Sequence, residues 1–206
     1  MKNNVNTVLI GGSGFIGSRL LSMLKIGSVR ILDLVKPDSD VDSEICDIRD
    51  YDAVLGNIGS AQTVVLLAAE HRDDLSPSNL YYDTNFQGTR NVLRAMREKN
   101  IQHIIFTSTV ALYGLNKLKP NEYDSLIPFN HYGKSKLQAE EELTEWWQED
   151  PQNRSLTIIR PTVVFGENNR GNVYTLINQI LKNRFIMIGN GKNRKSMAYV
   201  GNVAAF

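Results

Sequence analysis

The stretch GGSGFIG, residues 11–17, follows the apolar run of residues 8–10 and precedes a segment with helical periodicity. Four of its seven residues are glycine, which favours neither a strand nor a helix. A helix N-terminus offers unpaired N–H groups and a partial positive charge, so a phosphate binds there when the backbone can approach it closely. We predict that Gly11 forms the tight turn, Gly14 contacts a pyrophosphate and Gly17 packs helix against strand, with a plain glycine turn as the alternative.

A carboxylate follows this loop at the distance that dinucleotide binding requires. Asp33 ends the next predicted strand about twenty positions further on, where it can accept hydrogen bonds from an adenosine ribose. It would repel a 2′-phosphate, so the sequence favours NAD as cofactor over NADP, and the nearby Lys36 leaves NADP open. The loop residues expected at the cofactor are Gly11, Gly14, Phe15, Ile16 and Gly17.

Short β-branched runs alternate with longer segments of helical periodicity, which predicts an α/β fold with a doubly wound parallel sheet of Rossmann type. After Gly166 the composition changes, and we expect the start of a small C-terminal substrate lobe there. The expected domains are an NAD-binding domain over residues 1–166 and an incomplete substrate lobe over 167–206 of a truncated chain. The predicted strands are 7–10, 29–32, 63–67, 103–107, 156–159 and 185–188, and the predicted helices lie near 15–25, 79–99, 132–148 and 173–181.

Composition excludes several classes of protein. The 206 residues are 42% hydrophobic with a net charge of +1, which supports one buried core and gives no reason to expect nucleic acid as a partner. A single cysteine, Cys46, is typical of a reducing compartment, so we expect a cytoplasmic protein. The longest apolar run, residues 64–69, is far too short to span a bilayer, so any membrane contact is peripheral. His71 and His103 lack partners at metal-ligand spacing, and we expect no metal.

Two further stretches are candidates for the cofactor site. Asp47 and Ile48 follow a third strand-like region, where the carboxylate can accept a hydrogen bond from an adenine amino group; capping of the next helix is the alternative. Leu67, Ala68 and Ala69 end a buried strand with small side chains, which would let a dinucleotide lie against them, although an ordinary buried strand has the same pattern.

Tyr132 and Lys136 stand four residues apart at the start of a predicted helix, so they share one face. Tyrosine is a poor base at neutral pH, because its ordinary pKa is about 10. We expect the lysine ammonium and an oxidised nicotinamide to lower that pKa into the range of general acid/base catalysis. Thr109 follows a strand and can offer a hydroxyl to the same substrate oxygen, while surface packing of Tyr132 and Lys136 is the plain alternative.

These motifs, with NFQGT from Asn85 and the Arg160-Pro161 segment, resemble the extended short-chain dehydrogenase/reductase family of nucleotide-sugar epimerases and dehydratases over nearly the whole chain. The resemblance implies that Tyr132 is the catalytic acid/base, that Lys136 holds the nicotinamide ribose and that Thr109 orients a sugar hydroxyl. It also implies cofactor-side roles for Asn85, Thr107, Pro161 and Val163.

Departures from the family pattern narrow the set of reactions that the resemblance implies. Family 4,6-dehydratases carry Asp-Glu directly after the catalytic threonine, whereas this chain has Val110 and Ala111, so the resemblance argues against dehydration. Many UDP-sugar epimerases have asparagine at the position of Val163. Longer phrases, such as residues 66–83 and 154–174, resemble a bacterial branch of the family. Its members invert C4 of N-acetylglucosamine on undecaprenyl diphosphate, through a 4-keto intermediate, in O-antigen and lipopolysaccharide synthesis.

Several alternatives remain open at this point. A UDP-sugar 4-epimerase, an NAD(P)H-dependent reductase of a 4-keto nucleotide sugar and a non-catalytic NAD-binding protein would share most of these motifs. A homodimer through the helices near 79–99 and 132–148, with Trp146 and Trp147, is a further expectation. Arg170 is either a contact for the substrate diphosphate or a solvated residue. A basic region could face anionic headgroups at the cytoplasmic face of the inner membrane or simply be solvated; it contains Lys182, Arg184, Lys192, Arg194 and Lys195.

Overall fold

The computed structural model describes residues 5–72, 75–115, 119–187 and 189–206. Within these residues the central feature is a six-stranded parallel sheet with the strand order β3-β2-β1-β4-β5-β6. This order confirms the predicted doubly wound sheet, because the chain reverses its direction of winding on either side of β1. The strands are β1 (Thr7–Ile10), β2 (Val29–Asp33), β3 (Asp42–Ile45), β4 (Thr63–Leu66), β5 (His103–Thr107) and β6 (Ser155–Ile159).

Helices cover both faces of the sheet, as parallel strands require. Because strand side chains alternate, Val8 and Val64 pack into one apolar cluster, while Leu9 and Val65 pack into the other. The helices are α1 (Phe15–Leu21), α2 (Tyr51–Asn57), α3 (Asn79–Tyr81), a π-helical segment (Tyr82–Gln87), α4 (Gly88–Lys99), α5 (His131–Gln148), α6 (Asn172–Leu181) and α7 (Val200–Ala205), with short 3-10 turns at Ile26–Ser28 and Val110–Tyr113.

Several element boundaries differ from the predictions. The first helix ends at Leu21 rather than near residue 25, and the Ser22 hydroxyl bonds back to the Arg19 carbonyl at its end. The strand expected to reach Leu67 ends at Leu66. The edge strand β3 had no predicted range, because its mostly exposed side chains do not form an apolar pattern.

The C-terminal part is organised differently from the prediction. Residues 185–187 are exposed and form no strand, and Ile188 lies outside the described residues. A strand needs a hydrogen-bonded neighbour, and the pair that forms is β7 (Val163–Phe165) with β8 (Met197–Tyr199), which run parallel. Helix α7 then packs against α1. Since β7 precedes residue 166 and β8 follows it, the division into two domains there stays a prediction.

Among the described residues there is no helix with both the length and the apolar character needed to cross a bilayer.

Candidate functional site

A crevice of about 650 Å³ opens at the carboxyl ends of the sheet strands. Residues that end or directly follow β1, β2, β4 and β5 line it, including Gly11, Asp33, Leu67 and Thr107. Strands β1 and β4 are neighbours although β2 follows β1 in the chain, so the crevice lies at the switch point where α/β sheets bind ligands.

Gly11 and Gly17 make the glycine loop sterically possible. Gly11 has φ +83°, and a Cβ there would lie 2.4 Å from the Ala68 nitrogen. A Cβ at Gly17 would lie 2.4 Å from the Gly12 carbonyl oxygen, so Gly17 packs against the loop's own backbone rather than against a strand. Gly14 also lines the crevice, and only the Gly11 oxygen, at 3.2 Å, would contact its Cβ. A bound group can therefore approach the backbone at Gly14 closely.

Asp33 connects the end of β2 to the glycine loop. Its Oδ2 accepts a hydrogen bond from the Ser13 N–H at 2.9 Å, and its Oδ1 accepts one from the Val35 N–H at 3.3 Å. The carboxylate also lines the crevice, so it combines a structural bond with the position expected for contact with a ribose. Lys36 is exposed.

Asp47 forms an ion pair with Arg49 at the crevice. The Arg49 Nη2 donates to Asp47 Oδ2 at 2.5 Å, and this pairing lowers the pKa of the Asp47 carboxyl. Ile48 lies beside them in the crevice wall. The alternative that Asp47 caps the following helix is wrong, because Asp50 is the cap of α2 and accepts from the Ala53 N–H at 3.1 Å.

Leu67, Ala68 and Ala69 form the crevice wall after β4, and a buried asparagine holds the next residue in place. The Asn85 Oδ1 accepts from the Glu70 N–H at 2.8 Å, and its Nδ2 donates to the Glu70 carbonyl at 2.9 Å. The same Nδ2 lies 2.9 Å from the Ser135 hydroxyl on α5. Asn85 is 1% exposed, so it fixes this loop from behind the wall.

Glu70 and Arg72 are charged residues of the crevice wall that sequence reasoning missed. The hydrogen bond from Arg72 lowers the pKa of Glu70 to about 2, although partial burial acts against it. Spacing gives no signal for such a pair, because two residues apart in a loop have no fixed geometry. His71 also lines the crevice, and the described residues contain no group of three or more His, Cys, Asp or Glu side chains that could hold a metal ion.

Helix α5 places Tyr132 in its first turn, at the crevice. The helix begins there because the Asn130 side chain accepts a hydrogen bond from the Gly133 N–H at 2.8 Å, which caps the N-terminus. The Thr109 side chain hydrogen-bonds the Tyr132 phenol, and its Oγ1 also accepts from the Ala111 N–H at 3.1 Å. The structure therefore brings together the phenol and the hydroxyl expected at the substrate.

Burial raises the pKa of Tyr132, and the hydrogen bond to Thr109 opposes that rise only in part. The lowered pKa expected from the sequence depends on Lys136 together with an oxidised nicotinamide, so it stays a prediction. In the protein by itself, the Lys136 ammonium is directed to the Thr107 carbonyl. A phenol in this state holds its proton at neutral pH.

Lys136 is buried, with 1% of its surface exposed, and lies outside the crevice lining. Its Nζ donates to the Thr107 carbonyl at 2.6 Å and lies 3.9 Å from the centre of the Phe106 ring. Burial lowers the pKa of Lys136 to about 7, and the Glu140 carboxylate acts in the opposite direction. Near neutral pH this side chain can therefore gain or lose a proton readily.

The segment after β6 completes the crevice. Pro161, Thr162 and Val164 line it, while Val163, which the resemblance had suggested, lies outside that lining and pairs with Met197 in the small sheet. Exposed Arg170 also lies outside it, one residue after Asn169, which does line the crevice.

The fold and the site define a dinucleotide-binding protein of the short-chain dehydrogenase/reductase type. Residues 7–206 match the NAD dependent epimerase/dehydratase family, and the chain belongs to that family. Its cofactor is therefore NAD, and the residues present fit it: the glycine loop has no room for Cβ atoms at Gly11 and Gly17, and the acidic Asp33 at the end of β2 lines the same crevice.

Two curated relatives and one solved structure illustrate the likeness. The N-acetyl-alpha-D-glucosaminyl-diphospho-ditrans,octacis-undecaprenol 4-epimerase of Escherichia coli O157:H7 is 57% identical over 98% of this chain and 62% of its own length. A putative UDP-glucose 4-epimerase of Methanocaldococcus jannaschii is 30% identical over 96% of this chain and 70% of its own. The Thermus thermophilus UDP-glucose 4-epimerase with NAD superposes with a TM-score of 0.84 at 23% identity, covering 97% of this chain and 72% of that one, which supports the fold. This chain thus spans about three fifths of the E. coli relative.

Proposed function

We propose that the protein is an NAD-dependent epimerase that inverts C4 of an N-acetylhexosamine on a diphosphate carrier. The proposed conversion is undecaprenyl diphosphate-linked N-acetylglucosamine to N-acetylgalactosamine, through a 4-keto intermediate, in O-antigen synthesis. One observation carries the assignment of an enzyme: the Tyr132 phenol lies in the crevice, hydrogen-bonded to Thr109. The name of the relative that is 57% identical supports the carrier and the position of reaction.

Different residues of the chain would bind different parts of NAD. The glycine loop (Gly11, Gly14, Phe15, Ile16 and Gly17) holds the pyrophosphate, Asp33 accepts from the adenosine ribose, and Asp47 and Ile48 contact the adenine. Leu67, Ala68, Ala69, Thr107 and Pro161 supply the walls, and Asn85 keeps the loop after β4 in position. Lys136, which the resemblance places at the nicotinamide ribose, would reach it only if its ammonium left the Thr107 carbonyl. When bound, NAD supplies the acceptor and donor of the hydride from sugar C4.

Tyr132 moves the proton in this scheme. The phenol first releases its own proton to solvent, and the phenolate oxygen then takes the proton from sugar O4 as the 4-keto group forms and returns it when the alcohol forms again, while the Thr109 hydroxyl orients O4. Burial in the protein alone raises the pKa of Tyr132, so the phenol is a resting acid. Positive charge at Lys136 and at an oxidised nicotinamide would stabilise the phenolate when substrate binds.

A nucleotide is the second candidate for the carrier of the sugar. Relatives named UDP-glucose 4-epimerase, at 30% and 37% identity, favour a nucleotide carrier as the second candidate. The basic region defined by Lys182, Arg184, Lys192, Arg194 and Lys195 is exposed, which supports a cytoplasmic protein in peripheral contact with the inner membrane.

Dimerisation through α4 and α5 is also a proposal. Of the two tryptophans expected at that surface, Trp146 is fully buried in the core and cannot contribute, whereas Trp147 is 37% exposed. Any such interface would therefore use Trp147 and the charged outer faces of the two helices.

The test offers the purified protein two substrates in separate reactions without added cofactor: N-acetylglucosamine on undecaprenyl diphosphate, and UDP-N-acetylglucosamine. We expect inversion at C4 of the lipid-linked sugar, observed by NMR of the released sugar, with co-purified NAD sufficient for turnover. Conversion of only the UDP-sugar would show that the carrier is a nucleotide and not undecaprenyl diphosphate. A strict requirement for added NAD(P)H, consumed in proportion to product, would identify a reductase. Inversion of neither substrate would contradict the proposal.

A further inference from the structure

A second charged layer lies behind the site, along α5. Tyr132, Lys136 and Glu140 follow one another at four-residue spacing and so occupy one face of the helix. Glu140 is 4% exposed and lies outside the crevice lining. A charged carboxylate is costly to bury unless it has partners, so its position calls for a physical explanation.

Arg160, directly after β6, holds this carboxylate with one edge of its guanidinium. Its Nε donates to Glu140 Oε1 at 3.0 Å, and its Nη2 donates to Oε2 at 2.6 Å. The third contact, from Nη1 to the Tyr113 hydroxyl at 3.0 Å, fixes the plane of the guanidinium. Such a two-point contact orients a carboxylate more strictly than a single hydrogen bond does.

The carboxylate acts on Lys136, one helical turn earlier. The buried ammonium has an apolar ring on one side and a carbonyl oxygen at its tip. Burial favours the neutral amine, and Glu140 favours the ammonium. A neutral amine could still donate to the Thr107 carbonyl, but it would carry no positive charge one helical turn from the Tyr132 phenol.

We infer that Glu140, held by Arg160, is a positioning residue that keeps the buried Lys136 side chain in its ammonium form, one helical turn along α5 from Tyr132. This inference rests on the proposed function only for its catalytic consequence. The competing explanation is that the pair merely joins α5 to β6, in which case removing either partner would have similar effects.

Other charged groups near this part of α5 face elsewhere. On α4, Arg90 pairs with Glu142 and Arg97 with Glu149, both at the surface. The strand β5 presents the Thr107 carbonyl and the Phe106 ring to Lys136, and the π-helical segment presents the neutral Asn85 to Ser135. Among the described residues, the ionisable groups on and around this part of α5 include Tyr132 and Glu140 on the helix itself, Arg160 after β6 and Tyr113 of the 3-10 turn. The π-helical segment adds Tyr82, whose hydroxyl pairs with His131 at the start of α5.

The experiment follows the Lys136 ammonium directly in the protein without substrate. Lysine Cε and Nζ resonances are recorded by NMR between pH 5 and 9, and the Lys136 signal is assigned by its loss in Lys136→Met. In Glu140→Gln we expect the titration midpoint of Lys136 to fall by about one pH unit or more. In Arg160→Gln the carboxylate remains, so the midpoint should stay at the wild-type value or rise. Glu149→Gln, which breaks an exposed ion pair with Arg97 and Arg154, is the matched control and should leave the midpoint unchanged.

The two variants of one ion pair thus give opposite predictions, which a purely structural role would not produce. An unchanged midpoint in Glu140→Gln, or a fall in Arg160→Gln, would overturn the inference. If Glu140→Gln fails to fold, the double variant Glu140→Gln/Arg160→Gln leaves no unpaired charge, and the same fall is expected. The inference and the proposed function fail separately, because this titration needs no substrate. Where turnover is measured, the alkaline limb of the kcat profile should move to lower pH with the Lys136 midpoint.

Discussion

The two ends of the crevice are built by different means. At the glycine loop, the site is made by the absence of side chains: Gly11 and Gly17 leave no room for a Cβ. At the other end, the site is made by buried ionisable side chains, because Tyr132 and Lys136 both have pKa values shifted by burial. Shape therefore governs the first end and electrostatics the second. Substitutions at the first should change cofactor affinity and stability, and substitutions at the second should change turnover.

The largest effect is expected from Tyr132→Phe. It removes the group that exchanges a proton with O4, and such groups contribute about 10² to 10⁴-fold to the rate. We expect kcat for C4 inversion to fall by about 10³-fold while the Kd of NAD, measured by fluorescence titration, changes little. Tyr123→Phe, at a residue that is 98% exposed, is the control and should retain full activity. If Tyr132→Phe retained turnover, the Tyr132 phenol would not transfer the proton, and the electrostatic explanation of this end of the crevice would be contradicted.

Gly11→Ala tests the opposite end. The new Cβ would meet the backbone of Ala68 at a φ of +83°, so we expect the free energy of unfolding to fall by about 3 kcal/mol and NAD to bind at least about tenfold more weakly. Thermal unfolding and NAD titration measure the two effects. Gly56→Ala in α2 is the matched control, because its Cβ would meet nothing within 4 Å. It should stabilise the protein by about 0.5–1 kcal/mol. Equal effects from the two substitutions would contradict the steric explanation.

A pH effect on stability should come from Lys136. Its folded-state pKa, about 7, lies below the ordinary value, so above pH 7 the unfolded chain holds a proton that the folded chain has released. The free energy of unfolding should therefore rise from pH 7 to pH 9, by at most about 1.4 kcal/mol per pH unit. Above pH 9 the Cys46 thiol acts in the opposite direction, since burial raises its pKa to about 11. Chemical denaturation at several pH values measures the slope, which Lys136→Met should reduce. An identical slope in that variant would show that the lysine is not the titrating group.

The smallest effect is expected from Asp33→Asn. The amide still accepts from the Ser13 N–H but provides no charge at the ribose, so NAD should bind about tenfold more weakly. The preference for NAD over NADP should narrow, because the repulsion of a 2′-phosphate is gone. Titrations with both nucleotides measure this. Asp42→Asn, at the exposed ion pair with Arg30, should leave both affinities unchanged, and a similar loss there would point to a general charge effect.

The sequence predicted the parts of the molecule that a repeating pattern or a steric requirement determines. Strands such as β1 and β5 have the predicted bounds because each has a buried apolar centre, and the turn at Gly11 has the positive φ that its position required. Residues 185–187 have a similar apolar composition and yet form no strand. Local composition does not determine whether a neighbouring strand is present.

For the ionisable part of the site, the sequence predicted which residues take part but not which atoms they contact. The spacing of Tyr132 and Lys136 placed both on one face, but it could not show that the ammonium contacts the Thr107 carbonyl or that the phenol keeps its proton. The pairing of Glu140 with Arg160 joins residues twenty positions apart on different elements. Such electrostatic relations depend on tertiary packing, and the four-residue spacing after Lys136 was the only signal in the sequence.

The most direct test of the central claim follows the hydrogen atom at C4 of the substrate. The protein is given N-acetylglucosamine on undecaprenyl diphosphate with deuterium at C4, in ordinary water, and the isotope at C4 of the N-acetylgalactosamine product is measured by mass spectrometry and NMR. If the hydrogen leaves C4 as a hydride and returns to the opposite face while Tyr132 exchanges only the O4 proton with solvent, the product keeps its deuterium. Loss of the label to water during inversion would contradict this account.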